Sequence, residues 1–146
     1  MRFMESDGGR SESFSPSETN DCTVVAVAVA CGLDYNKAHA LLRSLGRKDQ
    51  SGFAFPVGRV RTSSGQIGDF WFQFFSPADS ETVQDFIMAN PKGTWILGTT
   101  LNLAGHVLCV KNGIVRDHTR PHPKARVKEV WSVSPFPLTK RQRSAR

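Results

Sequence analysis

The chain has 146 residues and a mass of 16.1 kDa, which suits one domain large enough to bury a core without disulfide cross-links. Its 39% hydrophobic and 22% charged residues are ordinary for a globular protein. The net charge is +6, but the last seven residues, KRQRSAR, hold four basic side chains and the remainder carries only +2, so the domain-wide basic surface of a nucleic-acid-binding protein is missing.

Residues 1–18 are rich in serine, glycine and glutamate, contain no apolar signal core, and are predicted to form a flexible N-terminal segment. The longest apolar run, residues 23–33, is too short to span a bilayer and fits a buried helix. The sequence therefore predicts a cytosolic protein without a secretion signal or a membrane span.

The stretch TNDCTVVAVAVACG predicts the first helix. Asn20 or Asp21 can cap its start, and Gly32 ends it after Cys31. Cys22 would lie in the first turn, nine positions before Cys31, so the two thiols face nearly opposite ways and cannot form a disulfide bond. The three cysteines of the chain are therefore predicted to be reduced thiols.

Two further helices follow the same kind of signal. Asp34 caps a helix over residues 35–45, whose apolar residues form one stripe at helical spacing. Ser80 or Asp79 caps a third helix over residues 81–89, which an Asn-Pro pair then stops.

The remaining predicted elements are a loop and strands. Residues 46–69 hold five glycines and are predicted to form a long loop that contains at most one short strand and walls a cleft. The run FWFQFF, residues 70–75, is predicted to be a strand or a buried turn with core aromatics. Strands are also predicted over residues 94–101 and 127–133, on either side of a hairpin over residues 106–118. Helices followed by an antiparallel sheet indicate an α+β fold.

The hairpin segment HVLCVKNGIVRDH contains Asn-Gly between alternating apolar residues, the strongest short hairpin signal. A two-residue turn pairs Lys111 with Ile114, and counting outward makes His106 and Asp117 diagonal neighbours on one face. Diagonal Cβ atoms lie roughly 7–8 Å apart or less, a gap that an imidazole and a carboxylate can bridge. His118 points to the opposite face, so the register selects Asp117 as the partner of His106.

Cys22 is the candidate nucleophile for a histidine oriented in this way. A place in the first turn of a helix favours the thiolate, and a neighbouring imidazolium favours it further. Cys109 lies on the hairpin face away from His106, and Cys31 lies at the far end of its helix, so both are interpreted as core residues. By itself Cys22 also fits a small core residue, and the catalytic interpretation depends on its combination with His106 and Asp117.

Metal binding is the rival use of cysteine and histidine. His106 and Cys109 are three positions apart on a strand and point in opposite directions, and the sequence contains no C-x-x-C pair. His39 is interpreted as a histidine on a helix surface. The sequence also lacks a phosphate-binding G-x-x-x-x-G-K-[ST] loop and a G-x-S-x-G elbow. Neither a metal nor a cofactor is predicted.

The segments NDCTVVAVAVACGLDYNKAHALL and NPKGTWILGTTLNLAGHVLCVKNGIVRDH resemble papain-like cysteine peptidases. The likeness is to small members encoded by tailed bacteriophages and bacteria, and more distantly to the peptidase domains of bacteriocin transporters. It covers about residues 19–133 and implies a papain-like domain over residues 19–135, with N-terminal helices packed on a C-terminal antiparallel sheet. A basic tail over residues 136–146 would follow, and a phage-encoded protein would act in the host cytoplasm.

The resemblance implies a role for each matching residue. Cys22 would be the nucleophile, His106 the general base that later protonates the leaving group, and Asp117 the residue that orients the imidazole. The backbone N–H of Cys22 would donate to the oxyanion. Many papain-like enzymes place a glutamine before the cysteine as a second donor, whereas SPSETNDC offers Asn20 as the nearest amide.

Three functions are compatible with these features. The first is thiol-dependent hydrolysis of a peptide or isopeptide bond in a peptide or protein substrate, through an acyl-enzyme. The alternative is a catalytically weak or inactive papain-like phage protein that acts by binding a host protein. The third is a nucleic-acid-binding accessory protein that uses the basic tail in a salt-sensitive association.

Overall fold

The computed structural model describes residues 1–18, 20–50, 64–101 and 104–136. Within these residues, three α-helices and seven strands follow one another, with a short 3₁₀ helix over Arg10–Glu12 after the first strand. The helices and strands in chain order are β1 (Arg2–Glu5), α1 (Cys22–Cys31), α2 (Tyr35–Ser44), β2 (Gly65–Ile67), β3 (Phe70–Phe75), α3 (Val83–Ala89), β4 (Thr94–Leu101), β5 (Ala104–Lys111), β6 (Ile114–Asp117) and β7 (Arg126–Pro135).

The seven strands form one mixed sheet in the order β1-β6-β5-β4-β7-β3-β2. Neighbouring strands are antiparallel except β1 and β6, which run parallel at one edge. The predicted α+β class is therefore confirmed, and the predicted antiparallel sheet gains one parallel edge strand. The strands predicted over residues 70–75 and 94–101 match β3 and β4, and the last predicted strand is longer than expected.

Helices cover both faces of the sheet. α1 and α2 pack on one face, where Ile96 and Cys109 are buried, and α3 packs on the other face, against Leu97 and Leu108. Ile96 and Leu97 lie in opposite cores because side chains alternate along a strand. α1 is apolar all round, as expected of a helix buried between a sheet and a second helix. The packing holds α1 against β5 with Cys22 at its N-terminal end.

The first two helices begin and end within one residue of the predicted bounds, but the predicted cap of α1 differs. Gly32 follows α1 in a left-handed conformation with φ 63°, as a glycine cap requires. Asp34 caps α2, since its Oδ1 accepts the Lys37 N–H at 2.8 Å. Asp21 occupies the N-cap position of α1, but its side chain makes no capping hydrogen bond. Its carboxylate is instead bound by the side chains of Arg10 and Tyr35.

The third helix begins later than predicted. The Thr82 hydroxyl accepts the Asp85 N–H at 3.1 Å, and the Asp85 carboxylate accepts the Thr82 N–H at 3.2 Å. The predicted cap at Ser80 or Asp79 is therefore wrong. The capping box at Thr82 satisfies two backbone N–H groups at once, which a cap further upstream would not do.

The N-terminal segment, predicted to be flexible, contains an edge strand. β1 pairs in parallel with β6, with Glu5 opposite Asp117, and the Ser6 N–H donates to the Asp117 carbonyl at 2.7 Å. This pairing occupies the outer edge of β6, whose backbone groups would otherwise lack partners in the sheet. The sequence predicts no strand in this segment, because the pairing joins residues that no local pattern connects.

Two predicted features lie partly outside the described residues. The loop predicted over residues 46–69 includes β2, and its residues 51–63 are outside the description. Of the basic tail over residues 136–146, the description covers Phe136 alone. Among the helices that are described, none is both long and apolar enough to cross a bilayer.

Candidate active site

The β5–β6 hairpin brings a histidine and an aspartate together, as the register predicts. Asn112 and Gly113 form its turn with φ 50° and 76°, the positive values that a two-residue hairpin turn needs. His106 Nε2 and Asp117 Oδ2 lie 2.5 Å apart. Asp117 is 2% exposed, and its Oδ1 accepts the His118 backbone N–H at 2.8 Å. The carboxylate is therefore held toward the imidazole.

Cys22 meets this pair at the N-terminal end of α1. Pairing between β5 and β6 ends at Cys109 and Arg116, so the Val107 N–H, which points toward β6, is left for another acceptor. The Cys22 sulfur takes that place and hydrogen-bonds both the Val107 N–H and the His106 side chain. Sequence reasoning missed Val107, because nothing in the local sequence indicates where the pairing of two strands stops.

The imidazole of His106 serves both neighbours. Asp117 engages its Nε2, which leaves Nδ1 for the Cys22 sulfur. Hydrogen bonds to Asp117 and then to Cys22 raise the pKa of His106 to about 10, against the opposite effect of burial. The imidazole is therefore favoured in its protonated form at neutral pH.

The thiol of Cys22 is shifted in the opposite direction. Burial raises its pKa, but hydrogen bonds from His106 and from the Val107 N–H outweigh burial and hold the pKa below its ordinary value. The position of Cys22 as the first residue of α1 adds the helix dipole, which also favours an anion. The two shifts together favour a thiolate–imidazolium pair.

The residue before the nucleophile is a carboxylate with its own partners. Asp21 Oδ1 lies 3.0 Å from Arg10 Nη1, and Asp21 Oδ2 accepts the Tyr35 hydroxyl at 2.8 Å. Burial and the bond to Asp21 raise the pKa of Tyr35, so the phenol stays a donor. Since Arg10 neutralises Asp21, the carboxylate opposes a thiolate at Cys22 only weakly. Arg10 belongs to the N-terminal segment, in which the sequence has no catalytic motif.

Asn20 lies beside Cys22 with a left-handed backbone, φ 50°, and an exposed side chain. Its Nδ2 donates to the Gln50 carbonyl at 3.1 Å. An amide NH₂ group carries two hydrogens, so one donor position remains after this bond. The role of Asn20 as an oxyanion donor stays a prediction.

Two clefts meet at Cys22 and His106, with volumes of about 240 Å³ and 260 Å³. Gly105 lines both of them. The first cleft is also lined by small and charged residues of β4 and β7, namely Gly98, Thr99, Thr100, Lys128 and Glu129. The second is lined by residues near the start of α1 and the end of β6, namely Asn20, Asp21, Val25, Asp117, His118 and Thr119. The register of the β4–β7 pairing shifts between Gly98 and Thr99, which line the first cleft, and such a shift bends a strand locally.

Cys31 and Cys109 lie in the core between α1 and the sheet, as predicted. All three cysteines are free thiols. Burial raises the pKa of Cys31 and of Cys109 to about 12, so neither supplies a thiolate at neutral pH. Cys22 is therefore the cysteine whose surroundings favour a thiolate.

Replacing Cys109 by serine is expected to lower the free energy of unfolding by about 1–3 kcal/mol, because a hydroxyl enters an apolar core. The Cys22→Ser variant is the matched control and should cost less than about 1 kcal/mol, since polar partners already face that side chain. Urea denaturation followed by tryptophan fluorescence measures both. Equal losses in the two variants would contradict the division into core and reactive thiols.

Within the described ranges, a second group of possible metal ligands does not include Cys22 or His106 and consists of Glu18, His39 and Asp49. His39 is 9% exposed and its Nε2 lies 2.7 Å from Glu18 Oε2, so the interpretation as a helix-surface histidine is wrong. Arg47 and Arg43 pair with Glu18 and Asp49 at 3.3 Å and 2.6 Å. Because these guanidinium groups neutralise both carboxylates, the cluster is an ion-pair network and not a cation site.

Comparison of the chain with family models, with curated proteins and with solved structures found no match. The resemblance to papain-like peptidases therefore depends on the residues of this chain alone. The geometry of the Cys22 site is the basis for assigning a function.

Proposed function

We propose that the protein is a thiol-dependent hydrolase of peptide or isopeptide bonds that acts through an acyl-enzyme on Cys22. The observation that carries the proposal is the series Asp117–His106–Cys22, in which His106 Nε2 lies 2.5 Å from Asp117 Oδ2 and Cys22 lines the same two clefts as His106. This series supplies a nucleophile with a lowered pKa, a proton-transferring imidazole and an orienting carboxylate. Covalent acyl transfer needs these three roles.

Each step of the reaction has a group in place. The Cys22 thiolate attacks the carbonyl carbon, a C–S bond forms, and the carbonyl electron pair moves to oxygen. The His106 imidazolium then gives its proton to the leaving amine as the C–N bond breaks. In the second half, neutral His106 takes a proton from water, the hydroxide attacks the thioester, and the thiolate leaves. Asp117 stabilises the imidazolium whenever it forms.

The oxyanion of each tetrahedral intermediate is proposed to lie at the start of α1. Backbone N–H groups in the first turn of a helix have no acceptor within the helix, so the Cys22 N–H is available as a donor. The remaining amide hydrogen of Asn20 is the second candidate donor. One such donor typically contributes about 10²- to 10³-fold in rate.

The proposed substrate is an extended chain that continues on both sides of the scissile bond. This proposal is supported by the two clefts that meet at Cys22. A Cβ on Gly105 would meet no atom within 4 Å, so packing does not account for a glycine there. Within the described residues, β6 pairs with β5 only as far as Cys109, so the edge of β5 at Gly105 is the proposed place for main-chain hydrogen bonds from a bound peptide.

The papain-like assignment of the fold belongs to the same proposal. It is supported by the order of the site along the chain, with a cysteine that begins a buried helix, a histidine on a strand, and an acid on the returning strand. The proposed partner is a peptide or protein substrate. The proposed location is the cytosol, where free thiols stay reduced.

A library of peptidyl acyloxymethyl ketones tests the proposal without knowledge of the preferred side chains. We expect one covalent adduct per chain, at Cys22, as located by mass spectrometry of tryptic peptides, and no adduct in the Cys22→Ala variant. The peptidyl part places the ketone where a substrate carbonyl would lie, and the thiolate forms a C–S bond at the neighbouring methylene carbon as the carboxylate leaves. Adducts distributed evenly over Cys22, Cys31 and Cys109 would overturn the enzyme proposal.

The Gly105→Leu variant separates a peptide-binding site from a merely reactive thiol. A leucine side chain would fill the space that both clefts share, so labelling by the peptidyl probe should fall at least about 10-fold. Labelling by iodoacetamide, which needs only the thiolate, should stay within about twofold of the wild-type rate. An equal loss with both reagents would mean that the substitution disturbs the thiol itself.

A further inference from the structure

A buried polar cluster joins the residues before Cys22 to the segment that follows α2. It consists of Glu18, His39, Arg47 and Gln50, and is called the Glu18 clasp below. Glu18 is 6% exposed and Arg47 is 3% exposed, so an ion pair has been removed from water. Burial of such a pair is weak support for stability, because apolar residues of similar volume often stabilise a fold as well or better. The clasp therefore calls for an explanation other than stability.

The Glu18 carboxylate is held from three directions. Its Oε2 lies 2.7 Å from His39 Nε2, and its Oε1 accepts Arg47 Nη2 at 3.3 Å and the Gln50 backbone N–H. Burial raises the pKa of Glu18, but these hydrogen bonds outweigh it and lower the pKa to about 2. The carboxylate consequently stays charged, and keeps its donors, through the mildly acidic range.

The same peptide segment reaches Asn20. The Gln50 N–H donates to Glu18, and the Gln50 carbonyl accepts the Asn20 side-chain amide at 3.1 Å. Both Asn20 and Gln50 are left-handed, with φ 50° and 59°, which is uncommon for residues other than glycine. Such conformations persist where surrounding contacts enforce them, and they cluster at functional sites. Here the two left-handed residues are hydrogen-bonded to each other, and Asn20 lies two residues before Cys22.

We propose that Glu18 is a positioning residue, which through the Gln50 backbone holds Asn20 and the first turn of α1 in place beside His106; its catalytic meaning rests on the function proposed above. Asp21, bound by Arg10 and Tyr35, anchors the chain on the other side of Asn20. The two anchors bracket the residue that offers a donor to the oxyanion. Many papain-like enzymes use a glutamine before the cysteine as the second oxyanion donor. In this chain the Glu18 clasp would hold the shorter Asn20 side chain where it can serve as that donor.

Two substitutions of one residue test the proposal, because both contacts of Gln50 in the clasp use its backbone. Gln50→Gly keeps the N–H and the carbonyl and suits a left-handed φ, so the clasp should persist. Gln50→Pro removes the N–H and forces φ to about −65°, so the bond to Glu18 is lost and the carbonyl turns away from Asn20. Glu18→Leu, which removes both acceptor oxygens and nearly keeps the volume, breaks the same bond from the other end.

Hydrogen exchange at the Val25 backbone amide gives a readout that needs no substrate, because its N–H donates to the Asp21 carbonyl at 3.0 Å and this bond closes the first turn of α1. We expect exchange there to be at least about 10-fold faster in Gln50→Pro and Glu18→Leu than in the wild type and Gln50→Gly, because a lost anchor lets this turn open more often. Exchange in α3, on the far face of the sheet, is the internal control and should be unchanged. Equal exchange in all four proteins would overturn the positioning role.

Labelling by the peptidyl ketone then tests the catalytic meaning. We expect Gln50→Pro and Glu18→Leu to lose about 10-fold or more in peptidyl labelling, since misplacement by about 1 Å at a reacting centre has large effects. Iodoacetamide labelling should change by less than about threefold. Faster exchange with unchanged peptidyl labelling would overturn the role of Glu18 in catalysis. If the peptidyl probe does not label the wild-type protein, the hydrolase proposal is refuted. The exchange result then tests by itself whether Glu18 positions the start of α1.

Discussion

Replacing His106 by glutamine is expected to lower the rate of Cys22 alkylation at about pH 6 by on the order of 10- to 100-fold. In the wild type, hydrogen bonds from His106 and the Val107 N–H hold the pKa of Cys22 below its ordinary value. Without the imidazolium the pKa rises toward about 8.5, and less than about 1% of the thiol is then ionised at that pH. The loss in rate is smaller than the loss of thiolate, because a thiolate of higher pKa is the better nucleophile.

The measurement is a pH–rate profile for iodoacetamide, with Cys22 followed by mass spectrometry. The wild-type profile should rise at a lower pH than the His106→Gln profile, which should rise near the ordinary thiol pKa. The matched control is His122→Gln, which changes an exposed histidine outside both clefts and should leave the profile unaltered. A wild-type profile with a single rise near about pH 8.5, the same in His106→Gln, would contradict the ion pair.

The hairpin at the centre of this site could be predicted from the sequence because all its determinants are local. The Asn-Gly turn sets the register, and the two-residue period of a strand then decides which side chains share a face. His106 and Asp117 meet at 2.5 Å for that reason. The first helix was predictable for the same kind of reason, since an apolar run ends at Gly32 in the left-handed conformation that a glycine favours.

The surroundings of the site could not be predicted, because they depend on contacts between distant parts of the chain. β1 pairs with the strand that carries Asp117, more than a hundred residues later, and no pattern in a charged four-residue strand indicates its partner. Arg10 reaches Asp21 from a 3₁₀ turn, and Val107 gains its role only because β6 stops pairing. His39 was misread because its helical position predicts an exposed side chain, whereas Glu18 and its neighbours cover it.

Replacing Asp117 by asparagine is expected to lower the pKa of His106 while leaving the hairpin folded. The hydrogen bond to Asp117 is the main reason why the pKa of His106 is raised to about 10. A raised pKa means that the imidazolium persists as the pH increases, until it is lost through about pH 10. Without the carboxylate this loss should move to lower pH by about 1–3 units. The amide oxygen of asparagine can still accept the His118 N–H, which limits the structural change.

Alkylation of Cys22 reports this shift without a substrate, because the thiolate becomes more nucleophilic when its imidazolium partner loses the proton. The pH–rate profile should therefore have two rises, of which the upper belongs to His106. We expect the upper rise to move to lower pH in Asp117→Asn and to stay in place in Asp85→Asn. Asp85 is the matched control because it is an aspartate of α3 whose side chain accepts the Thr82 backbone N–H. Peptide hydrolysis should fall by about 10²- to 10⁴-fold in Asp117→Asn, since an imidazole without its orienting carboxylate transfers protons poorly. An upper rise that does not move would mean that Asp117 anchors the hairpin but does not set the charge of His106.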